Sequence, residues 1–175
     1  RVSDSQKAQA PFGFALFVYG KNVVGGSMSQ VVVGYAVDAD IEAWMALVEL
    51  VREAFPGLEL GGYRETLRRA VEDGRALCAK SGEDLLGVLL LSDQHNGIGF
   101  LAVHPRSRGR GVASALVRRM LEVLPAGEDV HVTTYREGDP LGIAPRALYM
   151  RLGFEAGELV TRYGYPCQRF VLRRG

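Results

Sequence analysis

The stretch HPRSRGRGVASAL, residues 104–116, combines two glycines and three arginines where a hydrophobic strand passes into an amphipathic helix. A helix N-terminus presents unpaired backbone N–H groups, and the helix dipole adds a partial positive charge there. Gly109 and Gly111 let the backbone approach a ligand without an intervening Cβ. Phosphate suits such a junction, and the added charge of the arginines favours more than one phosphate. We therefore predict that this junction binds a pyrophosphate.

Three phosphate-binding designs compete for this stretch. A Walker loop requires Gly-Lys-Ser/Thr at the helix start, and the sequence contains no such tripeptide. A dinucleotide fingerprint starting at Gly109 would have Ser114 in place of its third glycine and too long a turn after the strand. The pattern R-x-x-G-x-A is met by Arg108, Gly111 and Ala113 directly after LAVHP. This third pattern fits the sequence best.

Two segments resemble motifs of the GNAT superfamily of N-acetyltransferases. FLAVHPRSRGRGVASALV, residues 100–117, resembles its coenzyme A-binding motif, and RALYMRLGFEAGE, residues 146–158, resembles its second signature. The resemblance implies a single-domain α/β fold with a mixed, mostly antiparallel sheet flanked by helices. It also implies transfer of the acetyl group of acetyl-CoA to a primary amine in a ternary complex, without an acyl-enzyme. The acceptor would be a small-molecule amine or an amine of a peptide or protein, and a homodimer is compatible with the family.

The resemblance assigns roles to particular residues. A bulge would splay the motif strand from its neighbour, so that the pantetheine arm lies in the gap against the backbone of Leu101, Ala102 and Val103. Tyr149 would protonate or hydrogen-bond the departing thiolate, a contribution of roughly 10²-fold or more. The pyrophosphate would bind the backbone N–H groups of the turn and first helical residues: Arg108, Gly109, Arg110, Gly111, Val112, Ala113 and Ser114.

Three positions depart from the family pattern. Gly142 and Pro145 stand where many relatives have asparagine and alanine, so one cofactor contact is missing and the helix is expected to start at Pro145. Gly99 stands where many relatives carry a catalytic glutamate. Either the amine needs no dedicated base or the base comes from elsewhere, the candidates being Asp93, His95, Glu137 and Asp139. A catalytically silent acyl-CoA-binding or regulatory domain is the alternative function.

Composition restricts the other function classes. A length of 175 residues with 47% hydrophobic content suits one globular domain, and a net charge of +1 argues against a general nucleic-acid binder. Two cysteines make no disulfide framework, which predicts free thiols in a reducing cytoplasm. The three histidines lack metal-ligand spacing, so no metal is expected. No apolar run approaches the roughly 18 to 20 residues of a membrane span.

Hydrophobic periodicity and turn residues predict one domain over residues 28–175. Residues 1–27 are interpreted as a leader or a segment of non-native origin, and a genuine N-terminal strand in FGFALFVY is the alternative. A helix capped by Asp38 or Asp40 ends near Pro56, and a closing hairpin has Pro166 in its turn. The remaining predicted strands cover 30–37, 75–81, 84–92, 97–103 and 129–135, and the remaining helices cover 61–73, 109–124 and 144–152.

Overall fold

The computed structural model describes residues 30–175 together with a two-residue strand near the N-terminus. The rest of the predicted 1–27 segment lies outside the described residues, and the domain boundary at residue 28 stays a prediction. The helices are α1 (Ile41–Val51), α2 (Tyr63–Glu72), α3 (Val112–Val123) and α4 (Ile143–Arg151). The strands are β1 (Phe14–Ala15), β2 (Val32–Tyr35), β3 (Ala76–Ser81), β4 (Asp84–Leu91), β5 (Ile98–Val103), β6 (Val130–Tyr135), β7 (Glu155–Arg162) and β8 (Tyr165–Leu172).

The strands form two separate sheets. The five-stranded sheet has the order β1-β5-β4-β3-β2, and the three-stranded sheet has the order β6-β8-β7. Every pairing is antiparallel except that of β1 with β5. The predicted fold class, an α/β domain with mostly antiparallel strands flanked by helices, is confirmed. The division between β5 and β6 matches the splaying that the family resemblance implies.

The two sheets lie between two pairs of helices. Trp44 of α1 and Tyr63 of α2 belong to one buried cluster, together with Phe100 of β5. Leu116 of α3 and Tyr149 of α4 belong to a second cluster on the opposite face of the sheets. Burial of both helix pairs removes apolar surface from water and supplies the main driving force for the fold.

Asp40, one of the two predicted caps, occupies the N-cap position of α1, but its side chain makes no hydrogen bond to the amides of that helix. Asp40 accepts a hydrogen bond from the backbone N–H of Val37 at 2.9 Å and pairs with the ammonium of Lys80. Burial alone would raise the pKa of Asp40, but the hydrogen bonds from Lys80 and Val37 and the charge of Lys80 hold this pKa below its ordinary value. Asp40 is therefore ionised in the folded protein at neutral pH.

Two helices begin where local geometry rather than the predicted boundary places them. Helix α3 starts at Val112 instead of Gly109, because Gly109 and Gly111 have φ of 69° and 79°, in the left-handed region. Helix α4 starts at Ile143, not at the predicted Pro145. Pro145 is tolerated in the first turn because the backbone N–H of that position has no partner within the helix.

The closing hairpin turns at a different place from the predicted one. The turn between β7 and β8 consists of Tyr163 and Gly164, with φ of 49° and 74°, and Pro166 pairs with Thr161 inside β8. Two consecutive residues of positive φ match the twist of a two-residue hairpin. Pro166 needs no partner on β6, because β6 ends at Tyr135, which pairs with the next residue of β8.

The described part of the chain has neither a membrane-spanning helix nor a metal-binding cluster, and its two cysteines are free. Within residues 30–175, no helix combines the length and the apolar character that a membrane span requires. The same residues contain no group of three or more side chains able to hold a metal ion. Cys78 and Cys167 are free and buried, and burial raises the pKa of each thiol to about 11. Both thiols are therefore protonated at neutral pH, which favours a packing role over a nucleophilic one.

Candidate active site

The connection from β5 to α3 leaves the start of α3 uncapped. Pro105–Ser107 forms a single 3₁₀ turn, and the chain then passes through the two left-handed glycines. Gly111 occupies the N-cap position, so the cap residue has no side chain to accept a hydrogen bond from the first helical turn. A Cβ built on Gly109 or Gly111 would meet no other atom within 4 Å. The first amides of α3 are consequently available to an external acceptor.

A cavity of about 360 Å³ opens in front of these amides. Its volume lies in the range usual for ligand sites, about 300–1,000 Å³. One wall comes from the end of β5, the turn and the start of α3, and the other comes from α4. The lining residues are Val103, Ser107, Arg108, Gly109, Gly111, Val112, Ala113, Ser114, Ile143, Ala144, Ala147, Leu148 and Arg151. This lining includes two arginines and no carboxylate, so the cavity suits an anion.

Seven of the predicted cofactor-binding residues line this cavity and three do not. Leu101 and Ala102 are buried within β5, and Arg110 is exposed on the turn. The sequence did not predict the residues of α4 that line the cavity. Ile143, Ala147 and Arg151 are among them, whereas the second signature had assigned a role only to Tyr149 of this helix. Their contribution depends on how α4 packs beside α3, which no local pattern reports.

Arg108 is the arginine of the turn that contacts the cavity. Its Nε donates to the backbone oxygen of Val103 at 3.4 Å, which directs the side chain back toward the end of β5. Burial lowers the pKa of its guanidinium. Arg106, which is exposed, and Arg110 are absent from the lining.

β5 and β6 come together at a single bridge, which lies at the end of β5 remote from the cavity. Gly97 bridges to His131, and the N–H of His131 donates to the oxygen of Asn96 at 2.8 Å. A Cβ at Gly97 would overlap the carbonyl oxygen of His131, so only glycine allows this approach. Beyond the bridge β5 and β6 no longer pair. The two-residue β1 pairs with β5 on the edge opposite β4, Phe14 with Phe100 and Ala15 with Leu101.

The chain is similar to proteins of a known family. The model of the acetyltransferase (GNAT) family matches residues 44–154, more than half of the chain. This protein belongs to the GNAT family. It is an acetyltransferase, and the family uses acetyl-CoA as the acetyl donor. A comparison with curated proteins finds no match.

Solved structures of GNAT proteins share the fold at low sequence identity. A GNAT acetyltransferase from Bacillus cereus superposes with a TM-score of 0.67 at 18% identity, covering 83% of this chain and 99% of the other. The ribosomal-protein-S18-alanine N-acetyltransferase from Escherichia coli gives 0.64 at 13% identity, with 83% and 95% covered. The NatC complex bound to Gag peptide and CoA gives 0.61 at 16% identity, with 82% and 98% covered. These likenesses concern the fold alone.

Tyr149, the residue that the GNAT resemblance assigns to the thiolate, lies behind the cavity wall. It is fully buried between Phe154 and Phe170, with ring centroids 5.5 and 6.2 Å away, while the preceding Leu148 lines the cavity. Its hydroxyl has no hydrogen-bond partner. Burial raises the pKa of this phenol well above its ordinary value. Tyr149 is therefore a protonated donor without an acceptor, an uncommon state for a buried tyrosine.

The two glycines that replace GNAT family residues have steric explanations. A Cβ at Gly142 would lie 2.9 Å from Cβ of Tyr135 and 3.1 Å from the oxygen of Arg136, so an asparagine would not fit without displacement. Gly99 is the extra residue of a bulge, since Leu90 pairs with Phe100 and Leu91 pairs with Ile98. A Cβ at Gly99 would lie 3.3 Å from Cα of Ser92.

The four candidate bases differ in their environments. Both carboxylate oxygens of Asp139 already accept hydrogen bonds, from the N–H of Leu141 at 2.9 Å and from the hydroxyl of Tyr165 at 2.7 Å. Asp93 and Glu137 are exposed. His95 is half-buried, and burial, followed by the charges of nearby cations, lowers the pKa of its imidazole. The structure does not bring these four residues together, and the base stays unassigned.

Three large aromatic residues on the face that carries α1 and α2 belong to the core. Trp44 donates from Nε1 to the hydroxyl of Tyr63 at 2.9 Å, and both are fully buried. Tyr63 and Phe55 pack on Phe100 with centroid distances of 5.5 and 4.6 Å. They support the β5 side of the gap from the face opposite the cavity.

Proposed function

We propose that the protein transfers an acetyl group from acetyl-CoA to a primary amine by direct attack in a ternary complex. The observation that carries the proposal is the uncapped start of α3, which opens through two left-handed glycines onto a cavity without carboxylates. The acceptor is a small-molecule amine or an amine of a peptide, and no nucleic acid or membrane takes part. The two free thiols agree with a cytoplasmic protein, and a homodimer is compatible with this function.

The proposed site residues divide between holding the donor and assisting its departure. The amides from Arg108 to Ser114 and the guanidinium of Arg108 bind the pyrophosphate, and the backbone of β5 from Leu101 to Val103 lies along the pantetheine arm. Acetyl-CoA supplies an activated thioester when it is bound. The unpaired hydroxyl of Tyr149 then gains an acceptor in the thiolate, which it stabilises by donating its proton or a hydrogen bond.

Substitution of Gly111 by valine tests the donor site. A side chain there enters open space beside the cavity and separates the pyrophosphate from the first amides of α3. Two hydrogen bonds to a charged group contribute about 3–6 kcal/mol together, so CoA affinity should fall roughly 10²- to 10⁴-fold. Isothermal titration calorimetry with CoA measures this change.

Gly127→Val is the matched control. Gly127 has a φ of 81°, against 79° for Gly111, and its Cβ would also meet no atom within 4 Å. Both substitutions carry a similar backbone strain of about 1–2 kcal/mol, but Gly127 is not part of the cavity lining. Equal CoA affinities of Gly111→Val and Gly127→Val would overturn the donor site.

A further inference from the structure

Helix α4 carries Tyr149 but buries few side chains of its own. Its buried residues are Pro145, Leu148 and Tyr149, and its N-cap residue, Gly142, makes no side-chain cap. The hydroxyl of Tyr149 has no hydrogen-bond partner that would fix its direction. The direction of this hydroxyl therefore depends on ring packing and on how α4 is held against the strands beneath it.

Arg146 links α4 to the three-stranded sheet. Its Nη1 donates to the backbone oxygen of Tyr135, the last residue of β6, at 3.1 Å and to Oε1 of Gln168 on β8 at 2.6 Å. The side-chain amide of Gln168 donates in turn from Nε2 to the backbone oxygen of Gly157 on β7 at 2.9 Å. Hydrogen bonds from a charged donor are stronger than those between neutral groups. One guanidinium thus connects α4, directly or through Gln168, to all three strands.

Arg146 and Tyr149 also share an aromatic neighbour. The guanidinium carbon of Arg146 lies 5.0 Å from the ring centroid of Phe170, which is within the range of a cation–π interaction. The ring centroid of Tyr149 is 6.2 Å from that of the same phenylalanine. Residues three apart on a helix are neighbours on its surface. A displacement of Arg146 would therefore affect both the helix and the ring against which Tyr149 packs.

Gly142 leaves the space through which the side chain of Arg146 passes. A Cβ at Gly142 would lie 3.2 Å from Cδ of Arg146, in addition to its close approach to Tyr135 and Arg136. This is the position at which the GNAT pattern has asparagine. The absence of that asparagine therefore accompanies a link between α4 and β6 that a larger residue would crowd.

We propose that Arg146 is a positioning residue, which holds the hydroxyl of Tyr149 toward the thiolate of CoA. The inference rests on the proposed acetyl transfer and on the role of Tyr149 within it. Arg146 is absent from the lining of the cavity, so it acts through α4 rather than on the cofactor. A misplacement of roughly 1 Å at a reacting group costs roughly 10²-fold in rate, so a small shift of α4 is sufficient.

The pKa of the thiol of bound CoA reports the hydrogen bond from Tyr149, because a donor to the thiolate favours the ionised form. Thiolate absorbance during a pH titration of the CoA complex measures this pKa, with the desulfo-CoA complex as the blank, and needs no acceptor amine. Tyr149→Phe should raise the thiol pKa by about one to two pH units, equivalent to one hydrogen bond to a charged group. Arg146→Met should raise it by a similar amount and leave CoA affinity within about twofold.

The double variant separates positioning from a direct effect of the arginine charge. With Tyr149→Phe already present, Arg146→Met should add almost nothing to the thiol pKa, because the two residues act as one unit. An equal rise with and without the hydroxyl would mean that the guanidinium acts on the thiolate directly, and would overturn the inference. If Arg146→Met does not fold, Gln168→Leu takes its place in the same comparison, since it removes the acceptor on β8 and keeps the arginine.

Arg136→Met is the matched control for stability. Arg136 is also half-buried and donates to two backbone oxygens, of Cys167 at 3.1 Å and of Val160 at 3.3 Å, which lie on β8 and β7. Its loss should lower the Tm as Arg146→Met does but leave the thiol pKa unchanged. Equal rises in the two arginine variants, or no rise in Arg146→Met where Tyr149→Phe gives one, overturn the inference alone. No rise in Tyr149→Phe, or no CoA binding by the unmodified protein, overturns the proposed function at that point and the inference with it.

Discussion

Tyr149→Phe separates the catalytic interpretation of this tyrosine from a packing one. If Tyr149 is catalytic, the substitution should raise the stability of the protein and lower its catalytic rate. The hydroxyl is buried and has no partner in the protein without cofactor. An unpaired buried hydroxyl costs about 1–3 kcal/mol. Its removal should therefore stabilise the protein by about 1 kcal/mol, which raises the Tm by about 2–4 °C at this chain length.

Catalysis should decline in the same variant. A donor to the departing thiolate acts mainly in the transition state, so kcat and kcat/KM should fall together by roughly 10- to 10³-fold. CoA affinity should barely change because the ring and its contacts with Phe154 and Phe170 remain. Thermal unfolding, calorimetry with CoA and thiol release from acetyl-CoA measure the three quantities.

Tyr135→Phe provides the matched control for stability. Tyr135 is also fully buried, but its hydroxyl donates to the backbone oxygen of Ala54 at 2.7 Å. Loss of this bond leaves a carbonyl unpaired, so the Tm should fall by a few degrees rather than rise. If Tyr149→Phe were as fast as the unmodified enzyme with a confirmed acceptor and rate-limiting chemistry, Tyr149 would be a packing residue only.

Three further outcomes are expected. If residues 1–27 are not part of the native domain, a chain starting at Met28 should keep its Tm and CoA affinity, as followed by thermal unfolding and calorimetry. A large loss of stability would instead show that β1, which pairs with β5, is a true element of the fold. Asp40→Asn should destabilise the protein above pH 4. Because the folded pKa of Asp40 lies below its ordinary value of 3.8, the stabilisation by Asp40 in the unmodified protein should be fully present above that value and decline as the pH falls through the folded pKa, as denaturant titrations at several pH values would show. Gly142→Ala should destabilise the protein by about 1–3 kcal/mol, because its Cβ would lie 2.9 Å from Cβ of Tyr135. In Gly62→Ala the Cβ would meet no atom within 4 Å, so this control should be close to neutral. Chemical denaturation measures both, and equal effects would contradict the steric argument.

Local sequence patterns determine the elements and the donor-binding turn. Glycine at positions 109 and 111 allows the left-handed φ of the turn, and a helix directly after them has free amides at its N-terminus, although the cavity in front of these amides also needs α4. The antiparallel hairpin between β3 and β4 likewise follows from its short glycine-containing turn. These features depend on neighbouring residues, which is why they could be predicted.

Tertiary packing alone decides the features that join distant segments. Pro166 suggested a turn by its type, but the hairpin register placed the turn at Tyr163 and Gly164. Tyr149 belongs to a motif, yet its separation from the cavity depends on the packing of α4 against Phe170 of β8. His95 and His131, whose ring centroids are 6.2 Å apart, come from a loop and a strand, and no spacing in the sequence joins them. Their proximity accompanies the bridge between Gly97 and His131, because contacts between distant residues are set by how whole elements pack.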